Sequence, residues 1–153
     1  MPAPVPVPAD DDPVVRALRV LGSRGAFLVM REAFYGTRRF DDFTRRLGMS
    51  PSALSARLRE LVADGMLART AYREAGARTR SEYVLTAKGE ALLPALVALH
   101  RWANDHLPPR GPRVDLIHEG CHSAVGARII CDHGHAVELR DLAVAAAPAS
   151  SPV

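Results

Sequence analysis

The stretch MSPSALSARLRELVADGML, residues 49–67, contains the start, the apolar stripe and the end of one helix. Ser50 followed by Pro51 predicts the start, because a serine side chain accepts a free N–H of the first turn and proline loses no hydrogen bond there. Gly65 predicts the end, since glycine readily adopts the left-handed conformation that follows a helix. We therefore expect a helix over residues 51–63.

The two sides of this helix differ in chemistry. One side repeats with helical spacing and predicts a face that packs on a core. Its residues are Leu54, Leu58, Leu61 and Val62. The other side is small and polar near its beginning and carries Arg57 and Arg59 further along. Small residues permit close approach to another molecule and arginines favour an anionic one, although a solvated polar face explains this pattern equally well when the helix is taken alone.

The chain of 153 residues fits one domain with tails. Its positive charge is concentrated, since residues 13–107 contain 16 Arg or Lys against 9 Asp or Glu, whereas the remainder contains 4 against 8. Such local positive potential favours a nucleic-acid partner. No apolar run reaches the roughly 18 residues that cross a bilayer. Residues 1–12 lack the basic leader of a signal peptide, and their alternating prolines predict a disordered arm. We expect no membrane association and a cytoplasmic location.

Three shorter segments precede the Ser50 helix. Residues 14–21 form a short amphipathic segment, and residues 26–35 predict an apolar second helix that ends at Gly36. Residues 40–47 predict a third helix, and Gly48 then turns the chain into the fourth. Two short helices joined around a glycine, the second with a polar face, are typical of a helix-turn-helix.

Two β-prone runs follow Gly65, MLARTAYR and RTRSEYVLT, separated by the small turn EAGA. They predict a hairpin, and its tip is surrounded by arginines. A hairpin in this place forms a wing that lies along a phosphate backbone. A solvated turn is the alternative, because loops are usually polar.

Thr86 is placed to cap a long helix that reaches about Leu107. Pro94 lies too far inside for the first turn of that helix and predicts a kink or a local break. The helix is more apolar than one side of a small domain needs, which favours pairing with a second copy. The predicted dimerisation residues are Leu92, Leu96, Leu99 and Trp102.

The order of these elements and the strings themselves resemble the HxlR family of bacterial winged-helix transcriptional regulators. The similarity covers about Val14 to Leu107, through ALRVLGSRGAFLVMREAFYGTRRFDDFTRRLG, SPSALSARLRELVADGMLART and EYVLTAKGEALLPAL. The resemblance implies an α+β fold, mostly helical, with a two-stranded wing and a long C-terminal dimerisation helix, and we expect the tail to add a small β-hairpin-like segment. It also implies a homodimer that regulates transcription by binding an inverted-repeat operator in double-stranded DNA, with residues 51–63 in the major groove and the 73–80 wing on the backbone.

The helix geometry and the resemblance together assign roles. The first turns of the 51–63 helix would approach base edges. Arg57 and Arg59 would bind phosphate or guanine, and their position one or two turns into the helix favours phosphate, while the arginines before the third helix and on the wing would bind the backbone. The predicted DNA-binding residues are Arg38, Arg39, Ser50, Ser52, Ala53, Ser55, Ala56, Arg57, Arg59, Arg73, Arg78 and Arg80. A winged helix that serves protein contacts or ligand sensing without binding DNA is the alternative function.

Two features of the sequence depart from the family pattern. Redox-sensing relatives have a cysteine directly before the proline near the start of the first helix, where this chain has Asp12, so thiol sensing at that place is excluded. The family also tends to have a Gly-Lys-Trp motif ahead of the second helix, where this chain reads Gly22, Ser23, Arg24 and Gly25. We therefore expect a small-molecule or oxidant effector, if there is one, to differ from those of relatives.

The tail, residues 108–142, contains both cysteines and four of the six histidines. One interpretation is a zinc site with the ligands His118, Cys121, Cys131 and His133, and the segment resembles a degenerate zinc ribbon. We favour a second one, a small hairpin of residues 114–120 with 127–133 whose thiols are inert and which holds no cofactor. A third is an oxidant switch between the two cysteines. Residues 143–153 are expected to be disordered.

A cysteine enzyme is the rival class, but a cysteine nucleophile needs an orienting base and a pocket. Both cysteines lie in the tail, outside the predicted core. No glycine-rich phosphate loop or Ser-His-Asp arrangement stands out, so we expect a protein that is not an enzyme.

Overall fold

The structure is a computed structural model that describes residues 10–72, 80–109 and 111–145, with the backbone alone at Tyr72 and Arg80. Helices precede and follow a single hairpin, in the order predicted for a winged helix-turn-helix of the α+β class. The elements are α1 (Pro13–Leu21), α2 (Arg24–Phe34), α3 (Phe40–Leu47), α4 (Pro51–Ala63), β1 (Leu67–Tyr72), β2 (Arg80–Leu85), α5 (Ala87–Glu90), α6 (Leu93–His106) and a 3-10 turn (Leu139–Asp141).

Side-chain caps fix where several helices begin. The Asp12 carboxylate accepts hydrogen bonds from the N–H groups of Val14 and Val15, so α1 starts at Pro13. The predicted start of α2 at Ala26 is wrong by two residues, because the Ser23 hydroxyl accepts the Ala26 N–H at 3.0 Å and supports a start at Arg24. A good cap thus compensates for a glycine in the first turn.

The turn between α3 and α4 is the one predicted. Gly48 lies in the left-handed region, with φ of +61°, and its N–H donates to the Thr44 carbonyl at 3.0 Å. Two residues later the Ser50 hydroxyl accepts the Ala53 N–H at 3.3 Å and starts α4. The helix-turn-helix therefore consists of α3, this turn and α4.

The core lies between α2, α3, α4 and the start of β1. Three of the four residues predicted for the inner face of α4 are fully buried, the fourth, Val62, is partly buried, and residues of the neighbouring elements complete the cluster. The fully buried side chains include Val29, Met30, Phe43, Leu54, Leu58, Leu61 and Leu67. At about 1.5–3 kcal/mol for each buried large apolar side chain, this cluster is the main stabilising contribution to the position of α4.

The wing is an antiparallel hairpin of β1 and β2, in the register Leu67 opposite Leu85. The segment before α3 joins the hairpin through its backbone. The Tyr83 N–H donates to the Arg38 carbonyl at 2.8 Å, and the backbones of Arg39 and Glu82 form an isolated antiparallel β-bridge. The wing is thereby connected directly to the helix-turn-helix.

The predicted long C-terminal helix is broken, as Pro94 indicated. Thr86 caps the short α5 by accepting the Gly89 N–H at 3.1 Å, and α6 then begins at Leu93. Pro94 consequently lies in the first turn of α6, where its missing N–H costs nothing.

The tail does not form the predicted hairpin of residues 114–120 with 127–133. It forms two separate turns, with bridges between Ile117 and Ala124 and between Ile130 and Ala136. Each bridge lies within a tight local loop, which brings strands together at lower entropic cost than the longer pairing. The Asn104 side chain on α6 donates to the Val114 carbonyl at 2.9 Å and links the tail to the domain.

The predicted arm, residues 1–12, and the predicted disordered end, residues 143–153, lie outside the described residues except for residues 10–12 and 143–145. Across the described ranges, no helix combines the length and apolarity needed to span a membrane.

Candidate nucleic-acid interface

The recognition surface is the outer side of α4. Its inner stripe, Leu54, Leu58 and Leu61, is fully buried, so the opposite side must face outward. Ser52, Ala53 and Ser55 are exposed in the first turn and a half, and Ala56 is half-buried. Short side chains at the beginning of a helix permit close approach to base edges, and the free N–H groups there favour an anionic partner.

The two arginines of α4 differ in their surroundings. Arg59 is exposed, and its Nε donates to the Ser55 carbonyl of its own helix at 3.4 Å. Its guanidinium forms no ion pair with any described residue. Arg57 is half-buried and lies 2.6 Å from a Glu60 carboxylate oxygen. The sequence alone did not distinguish the two.

The arginines before α3 are placed beside the wing. Both Arg38 and Arg39 are exposed, and their backbone runs alongside β2 through the Arg38–Tyr83 hydrogen bond and the Arg39–Glu82 bridge. Their position next to the helix-turn-helix is the one that the sequence predicted for backbone contacts.

The structure describes only part of the set of predicted wing arginines. Arg73 and Arg78 lie outside the described residues, and Arg80 is described by its backbone as the first residue of β2. Sequence reasoning missed Arg69, which is exposed on β1 opposite Tyr83. The only signal was weak, because apolar and polar residues do not alternate strictly in LARTAY.

Sequence reasoning also missed the device that holds the C-terminal end of α4. Lys88 Nζ donates to the Asp64 carbonyl at 2.7 Å, and the Thr86 hydroxyl donates to the Gly65 carbonyl at 2.6 Å. A Cβ on Gly89 would lie 2.2 Å from the Met66 carbonyl oxygen, so only glycine permits this close approach. The segment TAKG therefore caps the recognition helix from outside as well as starting α5.

A buried carboxylate fixes α3 against α2. Glu32 is 5% exposed, and its carboxylate accepts hydrogen bonds from Arg31 at 2.8 Å, Arg46 at 3.0 Å and the Thr37 hydroxyl at 3.3 Å. A buried charge requires such partners. No sequence motif announced this group, because Arg46 lies 14 residues away along the chain.

The predicted dimerisation residues fall into two sets. Leu96 is buried within its own chain and Leu92 packs on the core. Leu99 and Trp102 remain 51% and 54% exposed and line an apolar groove of about 340 Å³ between α2 and α6, with Phe27 opposite.

The predicted tail ligands are brought together only in part. His118 Nδ1 lies 3.3 Å from the Cys121 sulfur, but nowhere in the described part of the chain do three or more metal-ligating side chains form a cluster. Both cysteines are free thiols, Cys121 exposed and Cys131 half-buried. Hydrogen bonds from Ser123 lower the pKa of the Cys121 thiol below its ordinary value.

A helix-turn-helix whose second helix presents a small, polar and basic surface, followed by a two-stranded wing, defines a winged-helix DNA-binding protein. The profile of the HxlR-like helix-turn-helix family matches residues 20–111. The chain belongs to this family, and it is a DNA-binding transcriptional regulator.

Similar proteins agree with this placement. The chain is 41% identical over 125 residues to an uncharacterized HTH-type transcriptional regulator of Mycobacterium tuberculosis, which covers 81% of this chain and 78% of that protein. Among solved structures, PA1607, described as a proposed transcription factor, superposes with a TM-score of 0.77 at 33% identity, over 88% of this chain and 94% of that one. The redox regulator HypR in its reduced form superposes with a TM-score of 0.54 at 30% identity, over 61% of this chain and 92% of that one.

Proposed function

We propose that the protein acts as a homodimer that binds an inverted-repeat operator, with α4 in the major groove and the β1–β2 wing on the adjacent backbone. The observation that carries this proposal is the composition of the outward side of α4. Ser52, Ala53, Ser55 and Ala56 offer hydroxyls and small surfaces to base edges, while Arg59 offers a guanidinium without a competing carboxylate among the described residues.

Phosphate contacts are proposed for the residues that surround this surface. Exposure and position beside the helix-turn-helix support Arg38 and Arg39, and the start of the recognition helix supports Ser50. For Arg73 and Arg78 the support is their place in the sequence between β1 and β2, and for Arg80 it is the start of β2. Such contacts fix the register of the protein on the duplex and carry no sequence information.

Dimerisation is proposed through α6 and α1. Leu99 and Trp102 on α6, and Val14 and Leu18 on α1, are large apolar side chains that are 51–67% exposed. Exposed apolar surface of this kind is typical of protein interfaces. Two copies related by a two-fold axis would present two α4 helices to successive half-sites of one duplex.

We propose that the protein is not an enzyme, that it acts in the bacterial cytoplasm where its operator lies, and that it holds no resident metal. The support for the last point is that His118 approaches one sulfur alone, that of Cys121. Zinc well below one equivalent per chain is expected by elemental analysis, and one full equivalent would overturn this part. An oxidant switch between Cys121 and Cys131 is the alternative to inert thiols, and what supports it is that Cys121 is exposed and that hydrogen bonds from Ser123 lower its pKa.

The experiment titrates labelled DNA from immediately upstream of the protein's own gene with the protein. Binding is monitored by fluorescence anisotropy at several salt concentrations. We expect two chains per inverted repeat and an affinity that falls steeply with salt. The plot of log K against log salt has a negative slope, and the R59M variant should make it less steep by about 0.9, the value for one phosphate contact. R128M, which removes an exposed arginine of the tail, is the matched control and should leave the slope unchanged. Absence of any complex at low salt would favour a winged helix that binds protein or ligand instead.

A further inference from the structure

Arg57 differs from Arg59, the other arginine of α4, because both its aliphatic stem and its guanidinium make contacts with neighbouring residues. It lies two turns into α4 and is 33% exposed. Its aliphatic stem lies against the beginning of α2. Its guanidinium contacts Ser23, just before α2, and Glu60 of α4. The contacts with α2 depend on Ser23 and Gly25, which the sequence pattern of α4 does not reveal.

The stem of Arg57 lies across Gly25. A Cβ at Gly25 would be 3.3 Å from Arg57 Cγ and 3.4 Å from Arg57 Cδ, and also 3.3 Å from the terminal methyl of Met49. The two 3.3 Å distances are shorter than ordinary van der Waals contacts, so a side chain at Gly25 would press against the arginine stem and the methionine methyl. Glycine here permits α4 to approach α2 closely.

The guanidinium of Arg57 completes the contact. Its Nη1 donates to the Ser23 hydroxyl at 3.4 Å and forms an ion pair with Glu60 at 2.6 Å. The Ser23 oxygen also accepts the Ala26 N–H at 3.0 Å, and a hydroxyl oxygen has two lone pairs for two such donors. One serine therefore caps α2 and ties it to the middle of α4.

These contacts reduce the availability of Arg57 for DNA. A guanidinium paired with a carboxylate at 2.6 Å must give up a charge-assisted hydrogen bond before it binds a phosphate. Within the described ranges Arg59 has no ion pair that it would lose in this way. The charges of Arg57 and Glu60 also offset each other in the field that attracts DNA.

We infer that Arg57 is a positioning residue, which fixes the orientation of α4 on α2 so that the short side chains of its first turns reach the base edges, and that it makes no phosphate contact. This inference rests on the proposed entry of α4 into the major groove. A serine hydroxyl has little reach, and its hydrogen bonds tolerate only a few tenths of an ångström. A small rotation of α4 therefore loses base contacts while leaving phosphate contacts by long arginine side chains in place.

The test uses the full chain and the double variant R57M/E60Q. Methionine keeps an unbranched apolar stem over Gly25, and the glutamine removes the partner carboxylate, so the net charge is unchanged. Affinities for the operator sequence selected by the wild-type protein and for random DNA of equal length are measured between about 50 and 200 mM salt. We expect the ratio of operator to random affinity to fall roughly tenfold, the effect of about one lost base contact, with an unchanged salt slope.

The G25A variant tests the same inference without touching any charge. The added methyl pushes against the arginine stem, and alanine favours the helix by about 0.5–1 kcal/mol over glycine. We expect a lower operator-to-random ratio, an unchanged slope and a thermal midpoint that is not reduced. A merely structural defect would lower the midpoint as well.

Two results would overturn the inference. The first is a loss of about 0.9 in slope for R57M/E60Q, which would make Arg57 a phosphate ligand like Arg59. The second is an unchanged operator-to-random ratio in both variants, which would show that the contact positions nothing. Failure of the wild-type protein to bind DNA at any salt would instead remove the proposed function, and this inference with it.

Discussion

The buried carboxylate of Glu32 provides a sharp test of how the helix-turn-helix is held together. The variant E32A removes the acceptor for two guanidinium groups and one hydroxyl in a site that is 5% exposed. Breaking a fully buried ion pair costs about 3–5 kcal/mol, because the remaining charge has no partner. Here the side chains of Arg31 and Arg46 are 34% and 49% exposed, so water compensates part of that loss.

We therefore expect E32A to lower the free energy of unfolding by about 2 kcal/mol, which corresponds to a fall of roughly 10 °C in the midpoint of a domain of this size. Urea denaturation monitored by far-UV circular dichroism measures the change in free energy, and thermal denaturation monitored in the same way measures the change in midpoint. R46A should cost less, since Glu32 keeps Arg31 as a partner. In the double variant E32A/R46A the two losses should not add, because both remove the same contact.

The matched control is R45A. Arg45 is the neighbour of Arg46 on α3, pairs with Asp42 and is 73% exposed. An exposed ion pair of this kind contributes about 0–1 kcal/mol, so R45A should leave the midpoint almost unchanged. A loss in E32A no larger than that in R45A would refute the reasoning that the buried carboxylate holds α3 on α2.

Three further outcomes are expected. G89A should lower the free energy of unfolding by about 2 kcal/mol or more in urea denaturation, because the new methyl would lie 2.2 Å from a backbone carbonyl oxygen; wild-type stability would contradict the close approach. Since Ser123 lowers the pKa of Cys121, S123A should raise that pKa and move the rate of alkylation by iodoacetamide to higher pH, and an unmoved rate profile would exclude the hydrogen bond as the cause. L99S should shift sedimentation towards monomer without lowering stability, whereas L96S, a change at a buried site, should unfold the domain; a dimer unaffected by L99S would argue against the α6 interface.

Local signals in the sequence were sufficient for the helix-turn-helix. The bounds of α3 and α4 follow from helical spacing of apolar residues, a serine cap and two left-handed glycines, and all of these act within a few residues. The break near Pro94 follows from the same kind of local chemistry. These features needed no knowledge of the tertiary structure.

Contacts between distant segments were not predictable in this way. Arg57 meets Ser23 across 34 residues, and Lys88 meets the carbonyl of Asp64 across 24. Nothing in the spacing of either residue announces its partner. The error in the tail has the same origin, because the apolar pattern of residues 114–133 allowed several pairings and local loop closure selected the shorter ones.

The recognition helix is thus held at two places by residues outside its own sequence. Gly25 and Ser23 fix its middle through Arg57, while Lys88 and Thr86 fix its C-terminal end through backbone carbonyls. Such restraint matters for a helix whose proposed base-reading residues are serine and alanine, since short side chains cannot adjust to a misplaced backbone as long arginines can. We therefore expect changes at these supports to alter which operator is preferred, and changes at Arg59 to alter how tightly any DNA is bound.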